Sequence, residues 1–156
     1  MQILLKNRQR TFPIATRRLK AAAVAILSAL GCPDDTELSL SIIGDHSIRI
    51  LNRDYLGRDK PTNVISFSLQ EGDCSGINPY ALGDVIISAD TAAREAYNAE
   101  IEFFERLVFL LIHGILHLCG YDHEKSGESA ARKMEQKERE LFRMLKKQGL
   151  LNPTGI

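Results

Sequence analysis

The stretch His113-Gly114-Ile115-Leu116-His117-Leu118-Cys119-Gly120-Tyr121-Asp122-His123 contains three of the four histidines in the chain. The residues leading into it, from 101 to 118, are largely apolar and contain no Pro or Gly until Gly114, so they read as a helix. Residues four apart on a helix share a face, with Cβ atoms roughly 5–6 Å apart. His113 and His117 can therefore reach one ion at the usual Zn–N distance of about 2.0–2.1 Å. Gly120 permits the left-handed turn that ends a helix, and such a turn swings His123 back towards the pair. Three neutral imidazoles with an open fourth position are what a catalytic zinc requires. So apolar a helix belongs inside the molecule, and the rest of the chain is expected to pack around it.

Counted from His113, the histidines fall at offsets zero, four and ten, with Gly at seven. The metzincin proteases have the same offsets in H-E-x-x-H-x-x-G-x-x-H. Gly114 stands where those enzymes carry the Glu general base. The ligand spacing is kept and the protease base is absent. The stretch closely resembles the H-G-x-L-H-L-x-G-Y-D-H signature of the YbeY family of bacterial endoribonucleases. Two further stretches agree in order and spacing: Asp59-Lys60-Pro61-Thr62-Asn63-Val64-Ile65-Ser66-Phe67 and Leu82-Gly83-Asp84-Val85-Ile86-Ile87. The resemblance thus covers most of the chain. It implies a single-domain, zinc-dependent ribonuclease that acts in ribosomal RNA maturation and ribosome quality control. Its partners would be single-stranded RNA, ribosomal RNA above all, and ribosome-associated proteins.

One position departs from that pattern. An arginine implicated in the family's activity usually follows the Tyr or Phe ahead of G-[KR]-D-x-P-T. Here that position is Leu56, after Tyr55, while Arg58 stands where the family usually has Lys. Either Arg58 is the substitute from two residues away, since guanidinium forms paired hydrogen bonds to phosphate that Lys cannot match, or this member depends less on that charge.

Each residue has a plainer reading. A lone His on an apolar helix is usually a satisfied core residue, but three at metal spacing with the enabling Gly are hard to explain that way. Cys119 lies two positions from His117, on a different helix face, and reads as a small buried apolar residue, not a fourth ligand. Asp122 adjoins His123 and either orients a ligand or caps a turn. His46 lies outside any metal spacing and is expected at the surface.

A chain of 156 residues suggests one domain, spanning 1–156. Such a domain buries roughly 68–70% of its unfolded surface and needs no disulfide support. Cys32, Cys74 and Cys119 are scattered and odd in number, which suggests reduced thiols and a cytoplasmic setting. The formal net charge is zero, so composition gives no global support for nucleic-acid binding. Arg8, Arg10, Arg17, Arg18 and Lys20 crowd one region, and Arg53, Arg58 and Lys60 another. A local basic patch suffices for a short single strand, though each cation alone is better read as part of a solvated face.

In chain order, Gln2 to Lys6 reads as an edge strand, and Pro13 opens a helix that runs to about Leu30. The basic residues, Ala-rich run and Gly31-Cys32 there mimic a lipoprotein signal. That reading is rejected, because cleavage would remove a strand. No stretch approaches the roughly 18–20 consecutive apolar residues of a membrane helix, so no membrane partner is expected. Glu37 to Ile43 alternates as a strand, and Asp45 looks like the N-cap of a helix carrying Ile48, Leu51 and Tyr55 on one face to Gly57. Asn63 to Leu69 and Leu82 to Ser88 read as strands around a polar loop, Gln70 to Tyr80, the natural place for a mobile flap. A helix follows from Asp90-Thr91, then the histidine helix. Ser126 or a neighbour caps a last helix with Ala131, Met134, Leu141 and Leu145 on its apolar face. The expected fold is α+β: a single domain with about four strands in a mixed sheet, about five helices, and a metalloprotease-like core around a buried zinc-binding helix.

A three-histidine site lowers the pKa of bound water from 15.7 to about 7 and polarises phosphoryl oxygens. Neutral ligands leave the ion its full charge, which suits an anionic phosphodiester. RNA hydrolysis is therefore the leading expectation. A peptidase or amidase is the first alternative. The second is a non-catalytic RNA- or ribosome-binding module with structural zinc.

Overall fold

The computed structural model describes residues 1–70, 80–121 and 127–154. Four strands form one sheet: β1 (Gln2–Asn7), β2 (Glu37–Ile43), β3 (Val64–Ser68) and β4 (Ala81–Ser88). Their order is β1-β2-β4-β3. The first three in that order run parallel, and β3 is antiparallel to β4 at the far edge. Five helices accompany them: α1 (Thr16–Ala29), α2 (Asp45–Leu56), α3 (Ala89–Ala99), α4 (Phe103–Leu118) and α5 (Gly127–Lys147). The expected α+β class and mixed sheet are what the chain adopts.

Period-two alternation divides the side chains of β4 between two cores. Val85 and Ile87 point into the main core with α1, α3, α4 and α5. Ile86 points to the other face, where Ile43, Ile48 and Ile65 form a smaller cluster under α2. The Ala-rich run is α1, with Leu19, Ala22, Ala23, Ile26 and Leu27 fully buried. Helix α4 is apolar on nearly every side, as an internal helix must be. Ten of its sixteen residues are buried. Among the described residues, no helix is long and apolar enough to cross a membrane.

Several local expectations are corrected. Helix α1 starts at Thr16, with Ala15 as its N-cap, so Pro13 precedes the helix by three residues. Gly44, not Asp45, caps α2. The Asp45 carboxylate instead accepts hydrogen bonds from Ser88 Oγ at 2.7 Å and Thr91 Oγ1 at 2.6 Å, and pairs with Arg94 at 2.7 Å. Tertiary donors outcompete the helix's own amides for it. On α2, Tyr55 is exposed and Asn52 is buried in its place. Asn52 Nδ2 donates to the Lys60 carbonyl at 2.8 Å, closing the turn towards β3. Arg18 is no free surface cation, for it donates to the backbone carbonyls of Asn152 and Gly149 and ties α1 to the chain's end. Ser126, named as a cap for α5, and most of the expected flap lie outside the described residues, as does Cys74.

Candidate metal centre

His113 and His117 occupy the last turns of α4, one turn apart on the same face. Their rings meet edge to face, with centroids 4.6 Å apart and planes at 71°. The two Nε2 atoms stand 3.1 Å apart. Two nitrogens at about 2.0–2.1 Å from one tetrahedral ion would be separated by about 3.3–3.4 Å. The pair therefore fits a shared zinc with little adjustment, and unprotonated imidazole is the donor that zinc takes. Helix α4 ends at Leu118, and Gly120 takes φ +95°, the positive-φ turn expected there. His123 and Asp122 lie outside the described residues. Among the described residues, no group of three or more His, Cys, Asp or Glu side chains is arranged to hold an ion.

Gly114 explains why the face between the histidines and the sheet is so tight. A Cβ there would lie 2.7 Å from Val85 Cγ1 and 3.1 Å from Ser66 Oγ. Ser66 Oγ donates to the Gly114 carbonyl at 3.0 Å, pinning α4 to the edge strand. Position 114 thus faces β3 and β4. It has no room for a carboxylate. Gly83 makes a second close approach, since a Cβ there would sit 2.3 Å from the Phe67 carbonyl and 2.9 Å from Leu118 Cδ2. The end of α4 is consequently held against the sheet at two levels.

Helix α5 contributes a residue that the sequence reading overlooked. Glu138 Oε1 lies 3.4 Å from His113 Nδ1. Glu138 shares the buried stripe of α5 with Met134, Leu141 and Leu145. The signal was present: a Glu four residues after Met134 and three before Leu141 falls inside the apolar stripe.

The remaining named residues are dispersed. Cys119 is half-buried against the main core, and its thiol is pushed up to about 12, first by burial and then by the neighbouring Cys32. That suits its reading as a small apolar residue. His46 is exposed on α2. Arg58 is exposed just beyond Gly57, which ends α2 at φ +72°. Its amide donates to the Asn52 carbonyl at 3.1 Å. Arg49 pairs with Asp59 at 2.8 Å and Arg53 with Asp54 at 2.9 Å, while Arg58 enters no ion pair among the described residues.

The family model described as endoribonuclease YbeY matches residues 4–146. The chain belongs to the YbeY endoribonuclease family. Proteins named endoribonuclease YbeY from Geobacter sulfurreducens and Geobacter metallireducens are 61% and 59% identical to it, each over 97% of this chain and all of the relative. The YbeY protein from Syntrophotalea carbinolica is 54% identical over 95% of this chain and 98% of its own length. Among solved structures, the solution structure of TM1509 from Thermotoga maritima shares the fold. It gives a TM-score of 0.60 at 21% identity, covering 97% of this chain and 96% of that one.

Proposed function

We propose that the whole chain is one zinc-dependent endoribonuclease domain that cleaves single-stranded RNA in the cytoplasm. Ribosomal RNA is its principal substrate, in maturation and ribosome quality control, with ribosome-associated proteins as delivery partners. One geometric observation supports this beyond family membership. Two Nε2 atoms converge at 3.1 Å on the largely apolar α4. His113, His117 and His123 are the proposed ligands, and α4 is the zinc-binding helix of a metalloprotease-like core.

When bound, zinc supplies Lewis acidity and lowers the pKa of water. The protein's own contribution is placement. Helix α4 is fixed by Gly114 and Gly83 against β3 and β4, so both imidazoles are pre-organised. The edge strand β3 adjoins this end of α4 through the Ser66–Gly114 hydrogen bond, which gives a strand of RNA an approach along the sheet edge. Arg58 is assigned the substrate phosphate, with its guanidinium stabilising developing negative charge. Among the described residues Arg58 enters no ion pair, which supports that assignment. A peptidase is disfavoured because Gly114 faces Val85, so no side chain at that position can act as general base.

The test compares RNA and casein as substrates, with and without chelator. Chelator-sensitive RNA cleavage without proteolysis is expected, and chelator-sensitive proteolysis without RNA cleavage would reverse the assignment. Arg58→Ala is expected to slow RNA cleavage by roughly 10²–10³-fold, the loss seen when a comparable electrostatic donor is removed. If Arg58→Ala cuts at the wild-type rate and Leu56→Arg is faster, position 56 is the true site of the cation.

A further inference from the structure

We infer that Glu138 is a positioning residue for the metal centre. Its carboxylate accepts the Nδ1–H of His113, fixes that ring's tautomer and turns the Nε2 lone pair towards the ion. This rests on His113 and His117 being ligands.

Three observations lead there. The first is burial. Glu138 is the only charged residue in the buried class among the described residues, at 8% exposure. It interrupts an apolar stripe in which Met134, Leu141 and Leu145 are at most 2% exposed. A carboxylate in such a place costs free energy unless something compensates for its lost hydration. A Leu at position 138 would continue the stripe without that cost. The second observation is what Glu138 faces. Its Oε1 lies 3.4 Å from His113 Nδ1, at the long end of hydrogen-bond range. The third is the direction of the other ring nitrogen. His113 Nε2 is turned to His117 Nε2 at 3.1 Å. The two ring nitrogens of His113 thus address different partners: a carboxylate on one side and the second imidazole on the other.

That division has a chemical consequence. A neutral imidazole carries one proton, on Nδ1 or on Nε2. A carboxylate beside Nδ1 draws the proton there and leaves Nε2 with the free lone pair that metal coordination needs. It also stops the ring from flipping. Glu138 Oε1 lies beside Nδ1, and the Nε2 atom faces His117 instead, so the orienting role and the ligand role fall to different residues. The site accordingly spans two elements. Helix α4 carries the histidines, and α5 carries the group that orients the first of them.

The experiment uses the full chain with zinc as the probe. Zinc affinity is measured by competition with a chromophoric chelator for wild type, Glu138→Leu, Glu138→Gln and His117→Ala. The His113 tautomer is read from 15N chemical shifts, and folding is checked by thermal melting. Glu138→Leu is expected to bind zinc about 10–100-fold more weakly, the range for lost orienting partners of metal-bound His. It should melt no lower than wild type, and its 15N spectrum should lose the fixed Nδ1–H form. Glu138→Gln keeps an acceptor oxygen without the charge and should fall between, about 3–10-fold weaker. Wild-type affinity and an unchanged His113 tautomer in the Leu variant would overturn the inference. If the Leu variant does not fold, wild-type affinity in the Gln variant overturns it instead. Failure of the ligand reading looks different: His117→Ala would then retain the zinc.

Discussion

Among the polar clusters that join packed elements in the described residues, two are built on opposite principles. One joins the start of α2 to the start of α3. Asp45 Oδ1 accepts from Ser88 and Thr91, its Oδ2 pairs with Arg94, and its backbone amide donates to Asp90 Oδ2 at 2.8 Å. Ser88 Oγ also accepts from the Thr91 amide at 3.3 Å, as the N-cap of α3. Donors and acceptors answer one another within the cluster. The other cluster joins α4 to α5. His113 stands between Glu138, 3.4 Å from its Nδ1, and His117, whose Nε2 is 3.1 Å from its own Nε2. A cluster whose bonds close among themselves holds elements together. One in which two ring nitrogens converge is the arrangement that the proposed metal site requires.

The sharpest way to break the comparison is to remove one of the two converging ring nitrogens. His117→Ala should lose its zinc and, with it, several kcal/mol of transition-state stabilisation, so RNA cleavage should slow by about 10³-fold or more. Elemental analysis beside a cleavage assay checks this, and a full equivalent of zinc in the variant would sink the ligand set. Next in size is the support beneath that site. Gly114→Ala places a methyl 2.7 Å from Val85 Cγ1. Overpacking of this kind costs about 1–3 kcal/mol. Urea denaturation should report the loss, and zinc affinity should fall with it because α4 must shift. Unchanged stability and affinity would mean that the close approach is not what places the histidines.

The Asp45 cluster should respond in stability and not in metal binding. Asp45→Asn keeps an oxygen for the two hydroxyls but loses the charge that pairs with Arg94. A charge-assisted bond is roughly twice as strong as a neutral one, so the expected cost is about 0.5–1.5 kcal/mol. Zinc content should stay at the wild-type level. If the variant loses zinc, the two clusters are coupled and the contrast fails.

The smallest effect is in pH. Burial by itself would raise the Asp45 carboxyl, but hydrogen bonds from Ser88, Thr91 and Arg94, with the Arg94 charge, outweigh it and hold it below the ordinary 3.8. A depressed folded-state value stabilises the fold above the unfolded value. That contribution is lost as pH falls through the folded one. The melting temperature of wild type should therefore decline as the solution is acidified below about pH 4, and Asp45→Asn should decline less steeply over that window. Parallel curves for the two proteins would remove Asp45 from the account.

Periodicity alone determined much of the architecture. Alternation marked β2 over the residues it occupies, Glu37–Ile43, and the Gly at position 57 ended α2 where expected. The apolar run before His113 announced an internal helix, and the four-residue spacing placed two histidines on one face. These features are local: backbone geometry and burial of one face fix them within a few turns. Partners from distant parts of the chain were decided only by tertiary structure. Asp45 has the composition of an N-cap, but hydroxyls 43 and 46 residues away claim it. Gly114 reads as a missing protease base until the sheet is laid beneath it, when it becomes the one residue that fits against Val85. Glu138 reads as one more surface charge on α5 until α4 brings His113 to within 3.4 Å. Sequence spacing reveals which side chains share a face. Which face then meets which depends on how the elements pack, because the identity of a polar group's partner is a property of the folded chain.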